Sequence, residues 1–122
     1  MRWLEMTALA AALAALSGPA MAEPRWLDCK YTDTRRGVAN RFAMMFDDLR
    51  NVAYLLDGGR LVEGSQTSIT YQALRTRFPA FLLTYNRNDG ALSVTPLEGT
   101  AGGIMAGDCR RIATPPGAPN PP

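Results

Sequence analysis

The chain has 122 residues, 47% of them hydrophobic, and a formal net charge of +2 at pH 7. This length allows one domain, and so small a charge excludes the strong electrostatic footprint of a nucleic-acid-binding protein. The sequence contains no histidine, which removes the side chain most often used as a general base near neutral pH.

The first 22 residues are typical of a cleavable signal peptide. An apolar run over residues 6–16 is followed by the helix breakers Gly18 and Pro19 and by Ala20-Met21-Ala22, which has the small-x-small form of a cleavage site. A membrane anchor needs about 17 to 25 apolar residues, and this run is shorter. We therefore predict cleavage after Ala22, export to the periplasm or out of the cell, and no transmembrane segment in the mature chain.

Short runs rich in aromatic and β-branched residues, separated by turn signals, extend from there to residue 113. This pattern predicts an all-β domain. Asp57-Gly58-Gly59 and residues 86–90 are the clearest turn signals, and Gly64-Ser65 is interpreted as a bulge or bend. Residues 75–79 are interpreted as a break, and a helical turn over 72–75 stays open. The predicted strands are residues 25–32, 40–46, 52–56, 61–63, 68–72, 80–85, 91–95 and 104–112.

Cys29 and Cys109 lie near the two ends of this domain. An even number of cysteines in an exported chain predicts a disulfide, with a free thiol pair as the alternative. A His/Cys zinc site is excluded because histidine is absent. The bridge would bring the first and last strands together. We expect a compact antiparallel sandwich or small barrel of seven or eight strands, because either architecture limits exposed sheet edges.

Residues 114–122 contain five prolines and no apolar side chain larger than alanine. Such a segment cannot bury enough surface to offset the entropy lost on ordering, so we predict a disordered or polyproline-like tail. The predicted organisation is a signal peptide (1–22), a β domain (23–113) and this tail (114–122).

No set of residues in the sequence is typical of a catalytic centre. Asp47, Asp48, Asp57 and Asp89 fall in predicted turns, where aspartate is favoured for its hydrogen bonds to the backbone. The serines have no histidine to activate them. Calcium shared between the loops at residues 47–48 and 57 is an alternative use of these carboxylates, but no known ligand spacing supports it. We predict a protein that is not an enzyme and that holds no metal and no cofactor.

Two stretches are the best candidates for contact with a partner. Arg87 and the neighbouring Tyr85 would form an exposed tip at the hairpin of residues 86–90, and Arg75 and Arg77 have the same character. Arginine and tyrosine are favoured at interfaces. We expect an unknown protein or envelope ligand as the partner, no nucleic acid, and a monomer.

The chain contains, in this order, Trp26-x-x-Cys29, Phe42, Phe46-Asp47, Ser68-Ile69, Tyr85-Asn86-Arg87-x-x-Gly90-x-Leu92 and Gly107-x-Cys109. This order of core and turn residues resembles that of small exported proteobacterial β-proteins of uncharacterised function. More distantly, a one-disulfide β-barrel of this size is similar to the periplasmic inhibitors of C-type lysozyme, in which a Ser-Gly-x-x-Tyr loop enters the enzyme's active site. The nearest stretch here, residues 65–71, lacks the glycine, so no inhibitory residue is assigned.

These observations favour an exported, non-catalytic binding or interaction module of the bacterial envelope. One alternative is an inhibitor of an envelope-active hydrolase such as lysozyme. Another is a small-ligand carrier or a structural envelope protein. For a carrier we would expect an apolar cavity lined by Met44, Met45, Phe81 and Tyr85.

Overall fold

The computed structural model describes residues 24–33, 36–97 and 103–122, which form nine β-strands and no helix. The predicted signal peptide lies outside the described residues. In the described part of the chain, no helix is available to cross a membrane. The strands are β1 (Arg25–Asp33), β2 (Val38–Asp47), β3 (Val52–Asp57), β4 (Arg60–Glu63), β5 (Ser65–Ile69), β6 (Ala73–Arg77), β7 (Phe81–Asn86), β8 (Ala91–Pro96) and β9 (Met105–Ile112).

All nine strands belong to one antiparallel sheet in the order β4-β3-β2-β1-β9-β8-β7-β6-β5. Within β1–β4 and within β5–β9, each strand pairs with its neighbour in sequence, so the chain forms two meanders that meet where β1 pairs with β9. The sheet curls into a nearly closed barrel. The all-β prediction is confirmed, with nine strands rather than seven or eight.

The disulfide is confirmed between Cys29 of β1 and Cys109 of β9, which are 80 residues apart in sequence. The two cysteines are direct partners in the β1–β9 register, with their Cα atoms 4.0 Å apart. Both side chains are buried. The bridge therefore lies at the junction of the two meanders and joins the first and last strands, as the sequence predicts.

Alternation of side chains along the strands fills the barrel interior. On β2, Met44 and Phe46 point inward, and on β7 Leu83 and Tyr85 do the same; all four are buried. This is the period-2 pattern of a strand with one buried face. The interior cluster consists of Leu27, Cys29, Met44, Phe46, Ala53, Leu74, Phe78, Leu83, Tyr85, Leu92, Val94 and Cys109.

Strand β6 is the main departure from the predicted elements. Residues 73–77 are a strand paired on both sides, not a break or a helical turn. Leu74 and Thr76 point inward and are buried, while Arg75 and Arg77 between them are exposed. The predicted strand over 68–72 is also displaced, because β5 ends at Ile69 and the chain turns over residues 70–72. The inward position 76 is a threonine between two arginines, so the alternation of apolar and polar residues that marks a strand is missing here.

The hairpin between β3 and β4 follows the predicted turn. Asp57 pairs with Arg60, and the two residues between them, Gly58 and Gly59, have positive φ angles of 57° and 80°. Positive φ at both central positions matches a type I′ turn, which glycine adopts without steric cost.

The edge strands of the sheet, β4 and β5, are separated in sequence only by Gly64, and among the described residues no strand ladder joins them. A Cβ atom on Gly64 would collide with the Thr76 hydroxyl and approach the Phe78 ring to 3.2 Å. Glycine is therefore required here by close packing. Beside it the ladder is irregular between Ser65 and Ser68, which agrees with the bulge expected at this point.

A second apolar cluster lies on the outside of the barrel. Trp26, Met45 and Tyr54 occupy one cross-strand row over β1, β2 and β3 and are only 4%, 1% and 2% exposed. Ala118, within the proline-rich segment, packs against them. Disorder of residues 114–122 stays a prediction about their motion, and the structure gives this segment defined contacts with the barrel.

Candidate functional site

The four residues predicted to bind a partner do not form one surface. Tyr85 points into the barrel and is 5% exposed, and the Arg87 side chain is only 11% exposed. The expectation that both stand on an exposed tip is therefore wrong, because each is recruited into packing. Arg75 and Arg77 are exposed on the outer side of β6. A binding role for any of the four stays a prediction.

Arg87 instead holds together one end of the barrel, which we call the Arg87 end and define by turns 48–51, 70–72 and 87–90. Its guanidinium donates to both carboxylate oxygens of Asp48, at 2.7 and 3.2 Å. It also donates to the Thr70 carbonyl at 2.8 Å, and its Cζ atom lies 5.2 Å from the centre of the Phe46 ring. One side chain thus ties two turns to a third and covers the interior below them.

Turn 48–51 is formed by its own polar side chains. The Asp47 carboxylate accepts hydrogen bonds from the backbone N–H groups of Leu49 and Arg50, at 3.0 and 3.3 Å. Asn51 closes the turn with a positive φ of 54°, a conformation that asparagine tolerates better than most residues. Turn duty for Asp47, expected from the sequence, is confirmed.

Turn 70–72 is equally constrained. The Thr70 hydroxyl oxygen accepts hydrogen bonds from the backbone N–H groups of Gln72 and Ala73, at 3.2 and 3.1 Å. The backbone N–H of Arg87 donates to the Gln72 carbonyl at 2.8 Å. The turn is therefore fixed both by its own side chain and by the neighbouring turn 87–90.

Two large apolar side chains project from these constrained turns into solvent. Leu49 is 79% exposed and Tyr71 is 82% exposed, the largest values among the exposed large hydrophobic residues of the described chain. The Asp48–Arg87–Thr70 contacts make their turns neighbours, since Asp48 precedes Leu49 and Thr70 precedes Tyr71. Sequence reasoning missed both. The available signal was an apolar residue inside each polar turn.

The charges around these side chains are paired but accessible. Besides its bidentate pair with Arg87, Asp48 lies 3.7 Å from the Nε atom of Arg25, whose side chain is 42% exposed. This arrangement assembles an ion-pair network, two rigid turns and two exposed apolar side chains. Such a surface is suited to contact with another molecule.

The opposite end of the barrel carries a shallow mouth of about 270 Å³ lined in part by Tyr31, Phe81 and Met105. Burial raises the pKa of the Tyr31 phenol, and the negative charge of Asp33 raises it further. The four residues expected to line a carrier cavity do not share one. Met45 lies on the outer surface, and Met44 and Tyr85 belong to the packed interior cluster.

The acidic residues considered for calcium do not come together in the structure. Asp47 is the last residue of β2 and Asp48 follows it, whereas Asp57 ends β3, so the two loops considered for calcium lie at opposite ends of β3. In the part of the chain that the structure describes, no three His, Cys, Asp or Glu side chains form a metal-binding group. Asp28 pairs with Arg41 at 3.0 Å and with Arg110 at 3.2 Å on the outer face.

Comparison of the chain with protein-family models, with curated proteins and with solved structures finds no match.

Proposed function

We propose that this protein is an exported, non-catalytic binding module and that its recognition surface is the Arg87 end of the barrel. The observation that carries the proposal is the pair of exposed side chains, Leu49 and Tyr71, on turns that Arg87 holds in place. The partner is a protein of the same compartment, with a groove or pocket that accepts an aromatic and an aliphatic side chain.

The turns that carry Leu49 and Tyr71 are rigid, which favours this surface for binding. A single exposed apolar residue is common on soluble proteins and needs no explanation. Here two of them stand on neighbouring turns whose backbone groups are bonded internally and which the Arg87 side chain joins. Side chains on a preorganised backbone lose less conformational entropy on binding, and tyrosine is enriched among residues that dominate binding energy.

The compartment supports the same proposal. The sequence of residues 1–22 has the form of a signal peptide, and the disulfide suits an oxidising environment such as the periplasm or the exterior of the cell. Both features favour a protein that meets its partner outside the cytoplasm.

The test is capture of partners from envelope extract of the source cells by the immobilised protein. We expect proteins that bind the wild type to be lost with Leu49→Ala and Tyr71→Ala. Val38→Ala and Ile104→Ala are matched controls, because Val38 and Ile104 are 49% and 70% exposed and lie at the opposite end of the barrel. Equal capture by all four variants would assign binding to another surface.

A second candidate is inhibition of an envelope-active hydrolase such as a C-type lysozyme. One observation favours it: Tyr71, the last residue of the stretch 65–71 that is nearest to the inhibitors' Ser-Gly-x-x-Tyr loop, stands 82% exposed at a constrained turn. Lysozyme assayed with increasing protein is the direct test. Inhibition that Tyr71→Ala abolishes and Ile104→Ala retains would favour the inhibitor, and no inhibition at high protein excess would exclude this enzyme class.

A further inference from the structure

The outside of a barrel in water normally carries polar side chains, but part of this one does not. Trp26, Met45 and Tyr54 stand in register across β1, β2 and β3 and point away from the interior. Val52, Leu56 and Leu61 pack around them. We call these six residues the outer apolar face.

The chain's own C-terminal segment, residues 113–122, lies against this face. Ala118 packs on the cluster of Trp26, Met45 and Tyr54. The segment turns back on itself at Gly117, where the Ala118 N–H donates to the Pro115 carbonyl at 3.1 Å. Farther along, the Arg50 guanidinium donates to the main-chain oxygen of Pro122 at 3.4 Å. The segment therefore extends from the end of β9 to the turn that precedes β3.

The length of residues 113–122 is sufficient to cross the outer apolar face. Ile112, the last residue of β9, is the register partner of Trp26, so the cross-strand row begins where the segment leaves the sheet. Tyr54 lies three strand spacings away, roughly 14 Å at about 4.8 Å per spacing. Ten residues in an extended polyproline conformation span about 31 Å, which is enough to cross the row with a turn included.

The chemistry of the face matches that of proline-binding surfaces. Proline-rich segments dock on grooves lined by aromatic side chains, because the polyproline conformation is formed in advance and costs little entropy on binding. Tryptophan and tyrosine offer flat apolar area with a polar group at one side. Tyr54 stands directly opposite Glu63 in the β3–β4 register, so a polar side chain lies beside its ring.

Few hydrogen bonds hold residues 113–122 on the outer apolar face. Beyond β9 the segment pairs with none of the strands that the structure describes, and its bond from Arg50 is long and exposed to water. We propose that the outer apolar face is a docking surface for an extended proline-rich segment of a partner protein. The chain's own residues 113–122 occupy it as an intramolecular competitor.

Because residues 113–122 already occupy the outer apolar face, a partner peptide has to displace them before it can bind. A tethered segment has an effective concentration in the millimolar range, so a free peptide binds the wild type poorly until the tether is weakened. Ala118→Asp places a carboxylate against the apolar cluster and is expected to release the segment. Asn120→Asp introduces the same charge at an exposed position of the same segment and is the matched control.

The test uses the full chain with Trp3→Phe, which leaves Trp26 as its only tryptophan. The probe is a peptide with the sequence of residues 113–122, and its control replaces every proline with serine. In Ala118→Asp we expect acrylamide to quench Trp26 emission more strongly, and the proline peptide to reverse this saturably. The proline peptide should bind Ala118→Asp at least tenfold more tightly than it binds the wild type or Asn120→Asp.

Three results would overturn the proposal. One is that the proline peptide causes no saturable change in Trp26 quenching in Ala118→Asp or in Arg50→Ala, a second variant expected to release the segment. Circular dichroism must show that both variants are folded. Another is equal binding of the serine peptide. The last is a concentration-dependent dimer of Ala118→Asp or of the wild type in light scattering, which would assign the face to a second copy of this chain.

Discussion

The guanidinium of Arg87 satisfies most of its donors inside the protein although it lies at a barrel end. It forms a bidentate pair with Asp48, a bond to the Thr70 carbonyl and a contact with the Phe46 ring. A planar fork can do all of this at once, whereas an ammonium group is a point charge without that geometry. Arg87 is therefore a structural residue that keeps two turns adjacent.

Replacing Arg87 by lysine tests this role. We expect Arg87→Lys to lower the free energy of unfolding by about 1 to 3 kcal/mol, because Asp48 loses a bidentate partner and the Thr70 carbonyl loses its donor. Urea denaturation measures the change. Arg75→Lys is the matched control, since Arg75 is exposed on β6 and should change stability by less than about 0.5 kcal/mol. Equal stability of the two variants would contradict the assigned role.

Tyr54 makes stability depend on pH at the alkaline end. Burial raises the pKa of its phenol above 10.0, and the Glu63 carboxylate raises it further by its charge and by accepting the phenol's hydrogen bond. The folded state thus keeps a proton that the unfolded state releases. This stabilising contribution is complete below pH 10 and is lost as the pH rises through the folded-state pKa.

We therefore expect Tyr54→Phe to flatten the fall in stability above pH 10. The measurement is the urea midpoint of wild type and variant from pH 8 to 11.5. Tyr71→Phe serves as the control, because it removes the same hydroxyl group from an exposed side chain. Parallel profiles for wild type and Tyr54→Phe would show that Tyr54 does not couple folding to pH.

At the scale of strands, the open seam of the barrel is closed by a side chain in place of a ladder. The Asn51 amide donates to the Thr67 carbonyl at 2.9 Å, and its oxygen accepts from the Ile69 N–H at 3.0 Å. Both partners belong to the edge strand β5, while Asn51 immediately precedes β3. The Asn51 side-chain amide thus donates and accepts one hydrogen bond with β5, as the peptide groups of a paired strand do. It joins the two meanders on the side away from the disulfide.

Removal of this amide should loosen the seam without straining the turn. Asn51→Gly keeps the positive φ available and deletes both hydrogen bonds, so we expect a loss of about 1 to 2 kcal/mol. Hydrogen exchange locates the effect: the Ile69 amide should exchange faster in the variant. The Leu83 amide in the middle of β7 is the internal reference. Unchanged protection at Ile69 would mean that the amide does not close the seam.

Much of the strand pattern follows from the sequence, because an interior face leaves a local signature. Residues such as Phe42, Met44 and Phe46 alternate with outward positions, and Asp57-Gly58-Gly59 specifies a tight turn. β6 could not be recognised in this way. Its inward residues include a threonine whose hydroxyl is satisfied by Thr67 at 2.9 Å, and that partner is known only once β5 and β6 are paired.

The candidate site was less accessible to sequence reasoning for a related cause. Arg87 is drawn inward by Asp48, 39 residues earlier in the chain, and no local pattern encodes that approach. The exposure of Tyr71 depends on β5 ending at Ile69, and the predicted strand extended past that point. Likewise Trp26, Met45 and Tyr54 occupy outward positions where polar residues are expected, and they are buried by packing that includes a segment far from them in sequence.

For the molecule as a whole, stability depends on how the two meanders are held together. Each meander is built from contacts between neighbours in sequence, whereas the β1–β9 pair joins residues about 80 positions apart. The entropy lost in closing so long a loop opposes folding. The Cys29–Cys109 bridge lies on this pair and removes much of that cost from the unfolded chain.

We expect the double variant Cys29→Ala/Cys109→Ala to lose up to about 4.5 kcal/mol, the chain-entropy value for a loop of about 81 residues. For a domain whose total stability is about 5 to 15 kcal/mol, that loss brings it close to unfolding at ambient temperature. The urea m-value should also rise, because the unfolded chain expands without its cross-link. Reductant should lower the wild-type midpoint and leave that of the double variant unchanged, which separates the cross-link from the substitutions. A wild type whose mass after thiol alkylation does not change on reduction, or whose midpoint is insensitive to reductant, would show that the bridge does not hold the two meanders together.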